Sequence, residues 1–277
     1  MSVVIPLEHL NVFDLIESHK NHLTKKEQSL VAFITQSPGK VMEMSITELS
    51  DTALMGEGTI VRFCQKLGFG GFQQFKIAIA RSFEPPTISS EVIERLRQSH
   101  IDVIQRTSQM LDQKVLHQAA KAIADSRKTY LIGAGASGAT AQDGMYKFMR
   151  IGIDAEYLAD AHMMAMKISL ASDLDVLIAF SQSGSTGLIV DLAQSARDHK
   201  IPVISVTGYA RSPLAQHTDY LILIPTRETP FESGAVRSKI AQLHVLEVLF
   251  EYVFAQSPKK ATNNLSRTAQ GVARWIY

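Results

Sequence analysis

Short, almost continuously apolar runs recur through the second half of the chain, at Lys128 to Ile132, Asp154 to Leu158, Asp175 to Phe180, Pro202 to Thr207 and Tyr220 to Ile224, with helical stretches between them. A strand exposed on one face alternates polar and apolar residues, whereas a run that is apolar throughout must be covered on both faces. Such strands alternating with helices predict a doubly wound parallel sheet, an α/β unit whose ligands bind beyond the carboxyl ends of its strands. Glycine- and hydroxyl-rich segments follow two of the runs: Gly133-Ala134-Gly135-Ala136-Ser137-Gly138, and Ser181-Gln182-Ser183-Gly184-Ser185-Thr186-Gly187.

The first half carries a different pattern. Thr24-Lys25-Lys26-Glu27 and Ser45-Ile46-Thr47-Glu48 both match the capping box, in which hydroxyl and carboxylate satisfy the orphan amides at a helix start. Leu30, Val31, Phe33 and Ile34 recur at helical spacing after the first box, and Ser37-Pro38-Gly39 closes that run. After the second box, Ile46, Leu49 and Ala53 lie on one side of a short helix, and Leu54-Met55-Gly56 makes a tight turn. A third helix over Glu57 to Leu67 would bury Ile60, Phe63, Cys64 and Leu67 and expose Thr59, Arg62, Gln65 and Lys66.

Helix, short glycine turn and second helix is the arrangement that lays its last element in a DNA major groove. Glu57, Gly58 and Thr59 would then approach base edges, with Ser45 heading the preceding helix, while Arg62 and Lys66 meet bases or phosphates and Lys76 meets a phosphate or is simply a solvated charge. A purely structural helical bundle is the competing reading. Phe69 and Phe72 read as core, ahead of a further helix with Phe75, Ile77 and Ile79.

At 277 residues two domains are expected. Glu84-Pro85-Pro86-Thr87-Ile88-Ser89-Ser90 reads as the linker, because consecutive prolines favour extended backbone. The expected division is an all-α helix-turn-helix domain over residues 1–83, a linker and connecting helix over 84–112, and the α/β unit over 113–277. A helical pattern from Glu91 to about Ala124 offers Val92, Leu96, Val103, Ile104 and Leu111 to the second domain or to a dimer partner. Lys plus Arg total 28 against 27 Asp plus Glu, so DNA contact has to come from locally placed cations. The single Cys64 permits no intramolecular disulfide, and neither a signal peptide nor a membrane span is seen, so a cytoplasmic protein without membrane association is expected. His9, His19 and His22 lack nearby cysteines, so no metal is expected.

The hydroxyls of Ser181, Ser183, Ser185 and Thr186 precede a helical run from Leu188 to Ala196. Amides, hydroxyls and a helix start can hold a phosphate without a cation. An ordinary strand-to-helix turn is the plainer alternative. Gly133-x-Gly135-x-x-Gly138 also fits a dinucleotide fingerprint, with Asp154 and Glu156 near the spacing of its ribose-binding acid. NAD ranks second, because the Ser/Thr loop has no part in that fingerprint; no cofactor is expected.

These residues resemble the RpiR family of bacterial regulators, which joins a helix-turn-helix to a sugar isomerase (SIS) domain. The resemblance spans nearly the whole chain and rests on Thr59 to Phe69 with Gly71-Phe72, Gly133 to Ser137, Phe180 to Thr186, and Arg237-Ser238-Lys239-Ile240-Ala241-Gln242-Leu243. Gly56 departs from it, standing where many relatives cap the recognition helix with Ser; glycine is a tolerable cap, but a possible phosphate contact is lost. The resemblance implies a fold of an all-α helix-turn-helix domain followed by an α/β doubly wound parallel-sheet SIS domain. It implies a dimer or higher homo-oligomer on palindromic operator DNA, and a sugar phosphate held by Gly135, Ser137, Ser181, Ser183, Ser185 and Thr186.

His162, Glu228 and Lys239 are the candidates for contacts to the sugar. His162 reads equally as a helix cap and Lys239 as a solvated charge, whereas Glu228 could accept two adjacent hydroxyls. The set is most similar to the sialic-acid catabolism repressors of the family, which answer to N-acetylmannosamine 6-phosphate. An isomerase is the alternative, with Glu228 as base, but a DNA-reading module has no task in it; binding without turnover, and no catalytic residue, is expected. The tail from Asn263 to Trp275 reads as a helix that packs Leu265, Val272 and Trp275 either on a partner or on its own domain.

Overall fold

The computed structural model describes residues 12–19, 23–82, 92–225 and 236–275. The expected linker, Glu84 to Ser90, lies outside them. Contacts divide the chain into two compact units, the first running to Glu94 and the second taking up at Arg95.

The first unit is helical: α1 (Val12–Ser18), α2 (Lys25–Gln36), α3 (Pro38–Glu43), α4 (Ile46–Ala53), α5 (Glu57–Lys66) and α6 (Phe72–Arg81). Both capping boxes form, with Thr24 and Glu27 closing α2 and Ser45 and Glu48 closing α4. Pro38 does end α2, yet it also opens α3 at the first-turn position, where a missing N–H removes no helical bond. That short helix escaped the sequence reading. Leu54 takes a left-handed conformation in the turn before α5. Ile60, Phe63, Cys64 and Leu67 are buried as expected, in a core shared with Leu30, Ile34, Leu49, Phe75 and Ile79. Phe75 meets Phe63 and Phe69 edge to face, with ring centroids 5.8 and 5.5 Å apart.

The second unit comprises α7 (Val92–Met110), α8 (Gln113–Asp125), β1 (Lys128–Gly133), α9 (Ala136–Arg150), β2 (Ala155–Tyr157), α10 (Ala161–Leu170), β3 (Asp175–Phe180), α11 (Gly187–Asp198), β4 (Val203–Thr207), α12 (Pro213–Gln216), β5 (Tyr220–Leu223), α13 (Val236–Gln256) and α14 (Pro258–Ala273); α7 begins a few residues before Arg95. The strands form a five-stranded sheet in the order β2-β1-β3-β4-β5, every pairing parallel. Alternate residues of each strand enter opposite layers: Leu131 and Ile178 join Leu116, Phe148 and Leu246, while Ile132 and Leu177 join Met164, Ile168, Ile189 and Leu192. Helices on both faces explain why the strands are apolar throughout. At the opposite end from the glycine-rich loops, Arg127 donates to the buried Asp175 at 2.9 and 2.6 Å.

The helical pattern from Glu91 to Ala124 forms two helices, which part at the expected boundary between residues 112 and 113. Asp112 breaks it, accepting from the amides of Lys114 and Val115 at 2.7 and 3.2 Å and so starting α8. Of the apolar residues named there, Val103 is buried and Leu111 packs against the core of this unit, whereas Leu96 and Ile104 stay exposed. The terminal helix folds back on its own unit: Asn264 Nδ2 donates to the Ile151 carbonyl and Thr268 Oγ1 to that of Arg150, with Leu265 against the core. Val272 and Trp275 remain exposed. Among the described residues, no helix is long and apolar enough to cross a membrane.

Candidate functional site

In the first unit, α4, the turn at Leu54 to Gly56 and α5 form the helix-turn-helix pair. Glu57 Oε1 accepts from Thr47 Oγ1 at 2.6 Å, which fixes the first turn of α5 against α4. The Arg62 guanidinium folds back over the same turn: Nη2 donates to Thr59 Oγ1 at 3.2 Å, and a Cβ placed on Gly58 would lie 3.7 Å from Nη1. Gly58, Thr59 and Arg62 thus share one patch at the start of α5, which no side chain caps. Ser45 heads α4, its Oγ accepting from the Glu48 amide at 3.1 Å. Lys66 is held at the other end of α5, its Nζ 2.8 Å from both carboxylate oxygens of Glu27. Burial alone would raise the pKa of Glu27, but hydrogen bonds from Lys66 and Thr24 hold it below its ordinary value.

Lys76 requires a correction. Expected on the surface as a phosphate contact, it is buried, with Nζ donating to the Met44 carbonyl at 2.8 Å and lying 5.6 Å from the centre of the Phe72 ring. Burial depresses its pKa to about 8, against the pull of Glu48 and Glu43. Its ammonium ties α6 to the carbonyl that leads into α4 and is not available to DNA.

In the second unit, β1 and β3 are hydrogen-bonded neighbours, paired up to Gly133 and Phe180. From these adjacent ends the chain departs in opposite directions, β1 leading to β2 at one edge and β3 to β4 on the other side. This is a topological switch point, where open α/β sheets leave a crevice. Gly135 and Ser137 stand on one side of it, and Ser181, Ser183, Ser185 and Thr186 on the other. Asp112, Asp160 and Ser212 close α8, α10 and α12 with side-chain hydrogen bonds, whereas neither Gly135 at α9 nor Thr186 at α11 supplies one. Within those first turns Ser137 N and Gly138 N donate to the Ala134 and Gly135 carbonyls and Ile189 N to that of Thr186, so the amides that face another acceptor are those of the opening residues, Ala136 at α9 and Gly187 and Leu188 at α11.

The second loop is braced from behind. Gly208 N donates to the Gln182 carbonyl at 3.0 Å and Leu214 N to that of Gly184 at 2.9 Å, while Ser185 N donates to Ser183 Oγ at 3.2 Å. Gly184 has φ +59°, and a Cβ there would overlap the Ser212 side chain and approach Thr207 Oγ1 to 2.8 Å. In the first loop, a Cβ on Gly138 would meet Tyr157 Oη at 2.7 Å, so glycine lets α9 approach β2. Ser183 and Ser185 are exposed and Ser181 and Ser137 buried.

His162 is exposed in the first turn of α10, beyond β2, where the cap belongs to Asp160 through Met163 N at 2.9 Å. That excludes the capping role for His162. Lys239 lies in the first turn of α13, three residues before Gln242, which reaches Ser137. Glu228 lies outside the described residues. Gln242, which entered the sequence reading only within the Arg237 to Leu243 motif, and Thr140 were not named as site residues; the signal for Gln242 is a polar side chain at helical spacing with the apolar positions Ala241, Val245, Leu246 and Leu249, on a side of α13 that also buries Ser238. The acids of the dinucleotide reading are engaged elsewhere. Glu156 accepts from Lys128 at 3.0 Å and Lys167 at 3.2 Å, and Asp154 lies 3.5 Å from Lys128. Lys128 opens β1, so these carboxylates are drawn toward the amino-terminal edge of the sheet and away from the crevice. Burial would raise the pKa of Glu156, but the two lysines hold it below the usual carboxylate range.

The family model of the SIS domain matches residues 122–252, and that of the helix-turn-helix domain of the rpiR family matches residues 10–86. An uncharacterized HTH-type transcriptional regulator of Caldanaerobacter subterraneus is 32% identical, over 94% of this chain and 96% of its own. The HTH-type transcriptional regulator HexR of Escherichia coli is 28% identical, over 95% and 94%. The solved structure of the Vibrio vulnificus NanR protein complexed with ManNAc-6P matches with a TM-score of 0.85 and 27% identity, covering 96% of this chain and 99% of that one.

Proposed function

Because the chain belongs to the RpiR family, HTH-type transcriptional regulators that pair an rpiR helix-turn-helix with a SIS domain, we propose that it is a repressor whose crevice binds a sugar phosphate, N-acetylmannosamine 6-phosphate, and controls genes of amino-sugar catabolism. The observation that carries the reading is the pair of helix starts, α9 and α11, left without side-chain caps beside the hydroxyls of Ser137, Ser181, Ser183, Ser185 and Thr186. A phosphate monoester matches that polarity, since amides, hydroxyls and helix dipoles all favour a dianion. The choice of sugar is supported by the likeness to the NanR protein complexed with ManNAc-6P. His162 and Lys239 flank the phosphate loops and contact the sugar in this reading, with Glu228 as the third candidate.

On the DNA side, Gly58, Thr59 and Arg62 form the base-reading patch, Ser45 and Lys66 support it, and Glu57 sets the angle of α5 through Thr47. Two chains in a homodimer engage the half-sites of an operator, spaced by about one helical turn, roughly 34 Å. Ligand releases DNA by binding more tightly to the DNA-incompetent arrangement; a coupling of about 1–3 kcal/mol corresponds to a ~5- to 150-fold change in operator affinity.

A thermal-shift series with N-acetylmannosamine 6-phosphate, its unphosphorylated parent and other sugar phosphates tests the ligand, because a molecule that binds only the folded protein raises its Tm. A selective shift with the named phosphate, accompanied by weaker operator binding in fluorescence anisotropy, is expected. A shift with NAD and with no phosphate would overturn the reading, and an isomerised sugar phosphate appearing on incubation would overturn binding without turnover.

A further inference from the structure

Gln242 is wholly buried on α13, on the side that also buries Ser238, Ala241, Val245 and Leu246. A buried amide is costly unless its groups are hydrogen-bonded, so packing alone does not call for glutamine here. Its amide instead spans two hydroxyls of α9. Nε2 donates to Ser137 Oγ at 3.0 Å, and Oε1 accepts from Thr140 Oγ1 at 3.2 Å. Ser137 and Thr140 lie one helical turn apart, and Ser137 belongs to the first of the two loops.

This arrangement has a direction. The Thr140 proton is committed to Gln242 Oε1, and a Gln242 Nε2 proton is committed to a lone pair of Ser137 Oγ. A hydroxyl that accepts from behind keeps its own hydrogen to donate elsewhere. Hydrogen bonds aligned in this way polarise one another, which strengthens the last donor of the series. We propose that Gln242 is a positioning and specificity residue: it fixes the Ser137 hydroxyl as an outward donor, so that the crevice accepts an anion rich in acceptor oxygens and discriminates against a ligand presenting a donor at the same point. This rests on the reading of the crevice as a phosphate site and names how one of its hydroxyls is set.

The test uses the full chain, isothermal titration with N-acetylmannosamine 6-phosphate and with inorganic phosphate, and a pH series from about 5 to 8, which spans the second ionisation of a phosphate monoester near 6. Gln242→Glu keeps the shape. Once ionised, its carboxylate accepts from both Thr140 and Ser137, turns the Ser137 proton inward and places a negative charge behind the site. Its affinity for phosphate should fall about 10- to 100-fold near neutral pH, the ratio expected for one hydrogen bond to a charged group. Its affinity should also recover as the pH is lowered and the introduced carboxyl regains a proton, whereas the unaltered protein binds more tightly as the pH rises. Gln242→Met removes the donor without adding charge, and Thr140→Val removes the anchor of Oε1; both should weaken binding while keeping the ordinary pH trend. Lys239, one turn earlier on α13, and Tyr157, beside Gly138, are the same in every variant. If Gln242→Glu fails to fold, the other two variants carry the comparison. Binding within twofold of the unaltered protein in the folded variants at every pH would overturn the inference and leave the phosphate reading standing. Absence of phosphate binding by the unaltered protein would overturn both.

Discussion

Replacing Gly184 by alanine puts the bracing of the second loop to a quantitative test. Its φ of +59° lies in the left-handed region, where a side chain costs about 1–2 kcal/mol. The new methyl would also overlap the buried Ser212 side chain and approach the buried Thr207 Oγ1 to 2.8 Å. Overpacking of that kind adds about 1–3 kcal/mol, for a total of roughly 2–5 kcal/mol. In a unit of this size each kcal/mol moves Tm by about 2–4 °C, so the C-terminal transition should fall by about 4–20 °C. Calorimetry of the full chain reads this directly, with a titration of sugar phosphate reporting the loop. Ser212→Ala would not relieve the overlap, because Cβ itself is in the way, but Ser212→Gly would. Alone, Ser212→Gly removes the hydroxyl that accepts from Ala215 N at 3.4 Å and caps α12, a loss of only about 0.3 kcal/mol because glycine is itself a tolerable cap. Combined with Gly184→Ala it should recover about 1–3 kcal/mol, a non-additivity that a double-mutant cycle isolates. An additive cycle, or a Gly184→Ala protein as stable as the original, would refute the steric argument.

Lys76→Met should change how stability depends on pH. The folded pKa of Lys76, about 8, lies below the ordinary 10.5, so the unfolded chain binds more protons between those values and Lys76 makes stability rise as the pH climbs through them. At ~1.4 kcal/mol per pH unit that rise is on the order of 3 kcal/mol, and it should vanish in the variant, as chemical denaturation across that range will show. Asp175→Asn acts at the acid end. Burial would raise the Asp175 pKa, but bonds from Arg127 and the Ser172 amide depress it, so its contribution is present above the ordinary value of 3.8 and is lost as the pH falls through the lower folded one. Acid unfolding monitored by circular dichroism should show a shallower slope in Asp175→Asn. Arg62→Ala should weaken operator binding by about 1–3 kcal/mol and spare the ligand, and Ser183→Ala should do the reverse; loss of both activities in either variant would indicate misfolding.

How far the sequence could be read depended on the range of the interactions involved. The strand runs were legible because a sheet covered on both faces needs apolar residues on both sides of its strands, as the run Val176 to Phe180 of β3 illustrates. The capping boxes were legible because Thr24 with Glu27, and Ser45 with Glu48, act over one turn. The hidden features needed partners distant in the chain. Lys76 looks like a surface charge until the Met44 carbonyl is brought beneath it, and Gln242 gains its meaning only when Ser137 arrives more than a hundred residues earlier in the chain. The break at Asp112 falls where the linker and connecting helix were expected to end, although its cap on α8 was not itself named. The sugar contacts fared least well, because an exposed His162 and a half-buried Lys239 in first turns look alike whether or not a ligand meets them.

Cys64, the chain's one cysteine, sits in the recognition helix with no surface exposed, and burial pushes its thiol up to about 12. Thiolate is the form that reacts, so a thiol reagent reaches Cys64 only when the first unit opens. The protein therefore contains its own chemical clock for that unit. Labelling rates measured with and without operator DNA would time the opening of the DNA reader separately from anything occurring in the parallel sheet, without a probe having to be engineered into the chain.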